Sequence, residues 1–172
     1  MKILGIDPGL GRCGFGLIET KTRAGVKALD FGVVTTTVDA LLPTRLLELY
    51  DSLVEVFEET KPEIVGIEKL FFAKNITTGI AVAEARGIVL LVAAQRGLRV
   101  FEYTPNEIKK SLTGYGAATK TQISEMVRIH LGLEKKPKPD DAADALAAAI
   151  TCRFLYQNGE EEKYKFSNSR KK

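Results

Sequence analysis

The chain is poor in the residues that build soft-metal and disulfide sites. It holds one histidine, His130, and two cysteines, Cys13 and Cys152, in 172 residues. Two thiols so far apart match no zinc spacing and are too few for a disulfide framework. They read as buried free thiols, and His130 reads as structural. No apolar run approaches the ~20 residues needed to cross a bilayer. Met1 is followed at once by a charged residue and a strand-like segment, not by a signal sequence. A soluble, cytoplasmic protein with no membrane partner is expected. Net charge is only +3, so a basic partner surface has to come from local clustering.

That clustering exists. Residues 104–138 hold Lys109, Lys110, Lys120, Arg128, Lys135, Lys136 and Lys138 against Glu107, Glu125 and Glu134, an excess above that of the whole chain. Solvated helix faces produce such clusters too. Basic charge gathered in one region, with acids gathered elsewhere, is also what a phosphate-backbone binder with an acidic site shows.

With 45% hydrophobic and 27% charged residues, the composition is that of an ordinary globular domain with a real core. There is no internal repeat. One domain is expected over residues 1–156, followed by a polar tail over 157–172 that has no hydrophobic period. Apolar alternation predicts strands over 2–7, 11–18 and 26–37, in an antiparallel meander. Pro43 opens a helix whose face carries Leu46, Tyr50, Leu53 and Phe57, and which stops before Pro62. Ile64-Val65-Gly66-Ile67 reads as a strand buried on both faces. An apolar helix follows over 77–95, either central or at a subunit interface. A fifth strand covers 98–103. Helices then start at Thr104-Pro105 and Thr119, with a small glycine-bearing loop over 111–118, and Asp140 caps a last helix from Asp141 to about Tyr156. The sum is an α/β domain with a mixed five-stranded sheet flanked by helices.

The stretch Lys2-Ile-Leu-Gly-Ile-Asp7-Pro-Gly-Leu-Gly-Arg12 organises the rest. Asp7 ends a buried strand, where a carboxylate needs hydrogen bonds, a cation or a metal. An Asp capping the following turn is the alternative. Glu68 ends a second apolar strand. Asp141 and Asp144 share a face in the first turn of an alanine-rich helix. Acids there suit the helix dipole, which accounts for Asp140 but poorly for Asp144, on the packed side. Four acids gathered without a basic partner repel one another in a low-dielectric site. A hard divalent cation removes the conflict, and all-oxygen ligands suit Mg²⁺ or Mn²⁺. Two such ions ~3.5–4 Å apart would activate a water and stabilise the leaving oxygen of a phosphodiester.

Ile-Asp7-Pro-Gly-Leu-Gly, Ile-Glu68 with Phe71-Phe72-Ala-Lys74-Asn75, Ala-Arg86-Gly87 and Asp140-Asp141-Ala-Ala-Asp144-Ala-Leu-Ala together resemble the RuvC-type Holliday junction resolvases. The resemblance covers residues 1 to about 156. It implies a ribonuclease H-like fold, a homodimer and paired nicks across a four-way DNA junction, leaving 5′-phosphate and 3′-hydroxyl ends. It also implies Mg²⁺ as cofactor, two ions per site with Mn²⁺ as substitute, and the branch-migration proteins RuvA and RuvB as partners. Carried over by position, Asp7, Glu68, Asp141 and Asp144 become catalytic metal ligands. Phe71 becomes the aromatic that stacks on a base near the cut, with Phe72 able to exchange roles with it. Lys74, Lys109 and Lys120 become DNA contacts. Three other readings stand beside this one. Gly5-Ile-Asp7-Pro-Gly also resembles the first phosphate motif of actin-like and sugar-kinase ATPases, which need a second similar domain. A non-catalytic junction-binding module and a short ribonuclease H-like nuclease acting on RNA are the others.

Overall fold

Alternation along the first strand decides which way the site faces. In the computed structural model, which describes residues 1–21, 25–69 and 76–157, β1 (Lys2–Asp7) pairs antiparallel with β2 (Arg12–Lys21), and β2 with β3 (Gly25–Thr35). After α1 (Leu42–Thr60), β4 (Ile64–Glu68) returns parallel to β1. After α2 (Ile76–Gln95), β5 (Arg99–Tyr103) adds parallel to β4. The sheet order is β3-β2-β1-β4-β5. Helices α3 (Pro105–Thr113), α4 (Lys120–Leu131) and α5 (Asp140–Gln157) complete the chain. The mixed five-stranded sheet is the one the sequence predicts.

Successive strand side chains point to opposite faces. On one face Leu4, Ile6, Val65 and Ile67 pack with the α1 residues Leu49, Leu53 and Phe57 and the α2 residues Ala85, Val89 and Val92. On the other, Ile3, Ile64 and Phe101 pack with α3, α4 and α5 through Ile108, Val127 and Leu146. Gly5 and Asp7 share the face of Ile3. Gly66 and Glu68 share that of Ile64. Both strand-end acids therefore face the α3–α5 layer.

Helix α5 lies unusually close to the sheet, and glycine permits it. Register aligns Gly16, Gly5 and Gly66 in one row across three strands. A Cβ on Gly5 would stand 1.9 Å from the Ala145 carbonyl oxygen, and one on Gly14 would stand 2.1 Å from that of Asp141. Those are backbone atoms and cannot swing away. From the helix side, Ala142, Ala145, Ala148 and Ala149 are fully buried. Small residues on both surfaces bring backbone against backbone and set the first turn of α5 beside the end of β1.

The helix ends follow their local chemistry. Thr104 with Glu107 and Thr119 with Gln122 form capping boxes at the starts of α3 and α4. Gly114 and Gly132 close the same helices at φ +72° and +62°. Three details differ from expectation. In α1 the sealed stripe is Leu49, Leu53, Val56 and Phe57, while Leu46 and Tyr50 are only partly buried at its edge. Tyr50 keeps its hydroxyl available to donate to Gln95 Oε1 at 3.1 Å. The loop expected from residue 111 begins only at Gly114, because α3 runs on to Thr113. Asp140 is the first helical residue of α5 and not a residue before it. Cys13 and Cys152 are buried and form no disulfide with a described residue. Among the described residues no helix is long and apolar enough to cross a membrane. The expected tail over 157–172 falls almost wholly outside the described residues.

Candidate active site

Parallel pairing of β1 with β4 sets Ile6 opposite Ile67, so Asp7 and Glu68 emerge side by side at the carboxyl ends of adjacent strands. Ligand sites favour that end of parallel strands. Helix α5 closes over them, bringing Asp144 to the same hollow. A cleft of about 410 Å³ is lined by Asp7, Glu68, Asp144, Lys109 and Lys120, among others. Three of the four predicted acids and two of the predicted lysines thus line one cavity. Asp141 stands at its margin, turned toward Arg12. Phe71, Phe72 and Lys74 lie outside the described residues.

Electrostatics shows how uneasy the acids are. Burial, then the charges of Glu68, Asp144 and Asp141, push the Asp7 carboxyl up to about 8. Burial and Asp144 push Glu68 up to about 7, against the pull of Lys120 and Lys109. Burial raises Asp144 as well, although Lys120 opposes it. Neither Asp7 nor Glu68 makes a side-chain hydrogen bond or ion pair with a described residue. The other two acids are partnered. Lys120 Nζ stands 3.2 Å from Asp144 Oδ2, and Asp144 in turn raises the Lys120 pKa. Arg12 donates to Asp141 Oδ2 through Nε at 2.9 Å, and its Nη2 stands 2.8 Å from the same oxygen as an ion pair. Among the described residues no three acidic, histidine or cysteine side chains already stand as a metal-holding group. The donor set nonetheless fits a hard cation. It is all oxygen, two of its members lack a partner among the described residues, and burial, followed by neighbouring carboxylates, raises their pKa values.

Two features of the site were missed in the sequence. One is Arg12, which closes the quoted opening stretch but was given no role there. The other is the glycine row under α5, whose only trace was glycine in strands together with alanine in a distant helix. Arg86, part of a quoted motif, takes a structural place: it forms an ion pair with Glu102, whose side chain is 1% exposed, and so ties α2 to β5. His130 packs edge-on against Phe154 at 5.4 Å, in keeping with its structural reading.

A three-strand antiparallel meander continued by two parallel strands, with helices on both faces, defines a ribonuclease H-like fold, and carboxylates end β1 and β4 facing a helix that carries two more. The chain belongs to the crossover junction endodeoxyribonuclease RuvC family, whose sequence profile matches residues 3–152. It is similar to RuvC of Caldicellulosiruptor saccharolyticus, 47% identical over 155 residues that span 90% of this chain and 93% of that protein. To RuvC of Desulfitobacterium hafniense it is 51% identical over 150 residues, 87% of this chain and 90% of that one. Among solved structures, Thermus thermophilus RuvC in complex with a Holliday junction substrate superposes with a TM-score of 0.88 at 34% identity, covering 94% of this chain and 98% of that one. The yeast mitochondrial Holliday junction resolvase Ydc2 shares the fold, with a TM-score of 0.64 at 15% identity over 87% and 76% of the two chains.

Proposed function

We propose that this protein is a structure-selective endonuclease that resolves four-way (Holliday) DNA junctions by paired, symmetric nicks, in DNA recombination and repair. One observation carries the reading: Asp7, Glu68 and Asp144, from three separated segments, line a single cleft with Lys109 and Lys120. Family membership and the junction-bound structure of a 34% identical relative support the choice of substrate.

Each side chain has a part. Asp7, Glu68, Asp141 and Asp144 would hold Mg²⁺, two ions per site, with Mn²⁺ able to substitute. When bound, such ions lower the pKa of a water and stabilise charge on a phosphodiester leaving oxygen. Asp7 is the central ligand: it ends β1 within the cleft, where burial and the charges of Glu68, Asp144 and Asp141 raise its pKa. Lys109 and Lys120 bind DNA phosphate beside the acids. Their positive charge keeps a polyanion from being repelled by the carboxylates. Lys120 also holds Asp144 in place until DNA arrives. Helix α5, seated on the glycine row, fixes the acids against movement, since a shift of 1 Å costs such a site much of its rate. Phe71, Phe72 and Lys74 are assigned to DNA by resemblance, Phe71 as the stacking aromatic.

Two cuts of like polarity require two sites, and hence a homodimer. Its contact includes α2, whose Ile80 and Leu91 stay about half exposed on an otherwise apolar helix. RuvA and RuvB are the branch-migration partners, and a chromosomal substrate places the work in the cytoplasm. The test is cleavage of a synthetic mobile four-way junction in Mg²⁺, Ca²⁺ and chelator, beside duplex and RNA–DNA hybrid. Symmetric nicks with 5′-phosphate ends, in Mg²⁺ and on the junction alone, are expected. Preferential cutting of the hybrid would instead indicate an RNA-directed nuclease.

A further inference from the structure

The loop between α3 and α4 presents an aromatic that the fold does not use. Tyr115 is 65% exposed, and its hydroxyl makes no hydrogen bond with a described residue. The loop beneath it is nevertheless firmly built. Gly114 turns the chain at φ +72°. The Thr113 hydroxyl accepts the Tyr115 amide N–H at 3.1 Å and lies 2.9 Å from the Tyr115 carbonyl oxygen. Gly116 lies against the α3 side chains of Asn106 and Lys110, with a Cβ there 2.3 Å from Asn106 Oδ1 and 3.2 Å from Lys110 Cε. Ala118 is buried, and Thr119 caps α4.

The α4 end of this loop opens onto the nuclease cleft, where Lys120 lines the wall together with Glu68 and Asp144. Lys109, one turn before the end of α3, lines the same cleft. Lys110, exposed and unpartnered among the described residues, adds a third positive charge next to the loop. A rigid aromatic flanked by lysines is the combination that holds single-stranded nucleic acid, with cations on the phosphates and a ring against a base. A tyrosine left outside the core merely by chance would not need a loop pinned on both sides.

We propose that Tyr115 is a base-stacking contact, taking the face of an unstacked DNA base on the strand that enters the cleft, while Lys109, Lys110 and Lys120 hold phosphates on either side. This rests on the nuclease reading above and extends it to a second aromatic, on the opposite side of the site's sequence from Phe71. Stacking tolerates any base, so Tyr115 contributes affinity and positioning, with no sequence preference of its own.

The chain contains no tryptophan, which supplies a clean reporter. The Tyr115→Trp protein is titrated in Ca²⁺ with a labelled four-way junction, reading tryptophan emission and DNA anisotropy together. Emission falling in step with anisotropy is expected. Tyr115→Ala should weaken junction binding about tenfold with an unchanged melting temperature and an unchanged salt slope, while Tyr115→Phe keeps wild-type affinity. Lys110→Ala should instead lower the salt slope by about one. Unaltered emission at saturating junction, or wild-type affinity in Tyr115→Ala, overturns the assignment. Failure of the wild type itself to bind a junction overturns the nuclease reading, a different result.

Discussion

Arg12 grips Asp141 through one oxygen: Nε donates to Oδ2 at 2.9 Å, and Nη2 stands 2.8 Å from the same atom. The arginine enters at the start of β2, where Gly14 lets α5 come down onto the sheet. Asp141 is therefore already held by an internal cation. If Asp141 holds a divalent ion as proposed, the guanidinium competes with it. Arg12→Ala is expected to tighten Ca²⁺ or Mn²⁺ binding by about two- to fivefold, the scale of a partly exposed pair, with little change in fold stability. Calorimetric titration checks it. Unchanged or weaker ion binding would mean that Arg12 orients Asp141 for the ion instead of competing with it.

Stability should depend on pH in an unusual direction. Asp7 and Glu68 titrate at about 8 and about 7 when folded, against 3.8 and 4.5 for the free side chains, chiefly because of burial. A carboxyl raised in this way holds its proton more tightly folded than unfolded. Its contribution is complete below the unfolded pKa and is lost as pH climbs through the folded one. In chelator, the melting temperature is expected to fall steadily from pH 5.5 to pH 8, and to recover with saturating Ca²⁺. Asp7→Asn should flatten the fall. A melting temperature that rises over this range, or a slope the variant leaves unaltered, would contradict the burial of these charges.

The contact of α5 with the sheet predicts a contrast between two glycines. Gly5→Ala drives a methyl group into the Ala145 carbonyl, 1.9 Å away, and neither backbone can yield. A loss of about 3 kcal/mol is expected, a fall of roughly 6–12 °C in melting temperature, with activity lost as the acids separate. Gly87→Ala in α2 meets nothing within 4 Å and should be neutral or stabilising by about 0.5–1 kcal/mol. Calorimetry of the two variants side by side decides it; equal effects would show that the helix is not seated as described.

Lys120 separates binding from chemistry. Its side chain is 77% exposed, so its pair with Asp144 at 3.2 Å adds little to stability. Lys120→Ala is expected to leave the fold intact, lower the salt slope of junction binding by about one, and slow cleavage by at least ~100-fold through the lost phosphate contact beside the acids. Single-turnover rates and a salt series measure the two effects separately.

Most of the fold was legible because it is written in local signals. Short apolar runs ending in a carboxylate marked β1 and β4, Thr104 followed by Pro105 marked the start of α3, and Gly132 marked the end of α4. The acids were legible for a different reason: a carboxylate at the end of a buried strand or inside an alanine-rich helix contradicts its surroundings, and Asp7, Glu68 and Asp144 all do. The partner of the fourth acid, Asp141, was not legible. Arg12 and Asp141 are 129 residues apart, and nothing local in either states the pairing. The width of the α1 stripe also escaped, because the sealing residue Leu49 lies between positions that periodicity alone ranks equally.

The central claim is that one buried polyanionic cluster performs the hydrolysis, and Asp7 tests it best. Wild-type protein and Asp7→Asn are compared on the same labelled mobile four-way junction in Mg²⁺, with binding read by anisotropy and cuts mapped on a denaturing gel. Symmetric cutting by the wild type, none by the variant, and equal junction affinity is the predicted result. Cutting by Asp7→Asn at the wild-type rate would contradict the account.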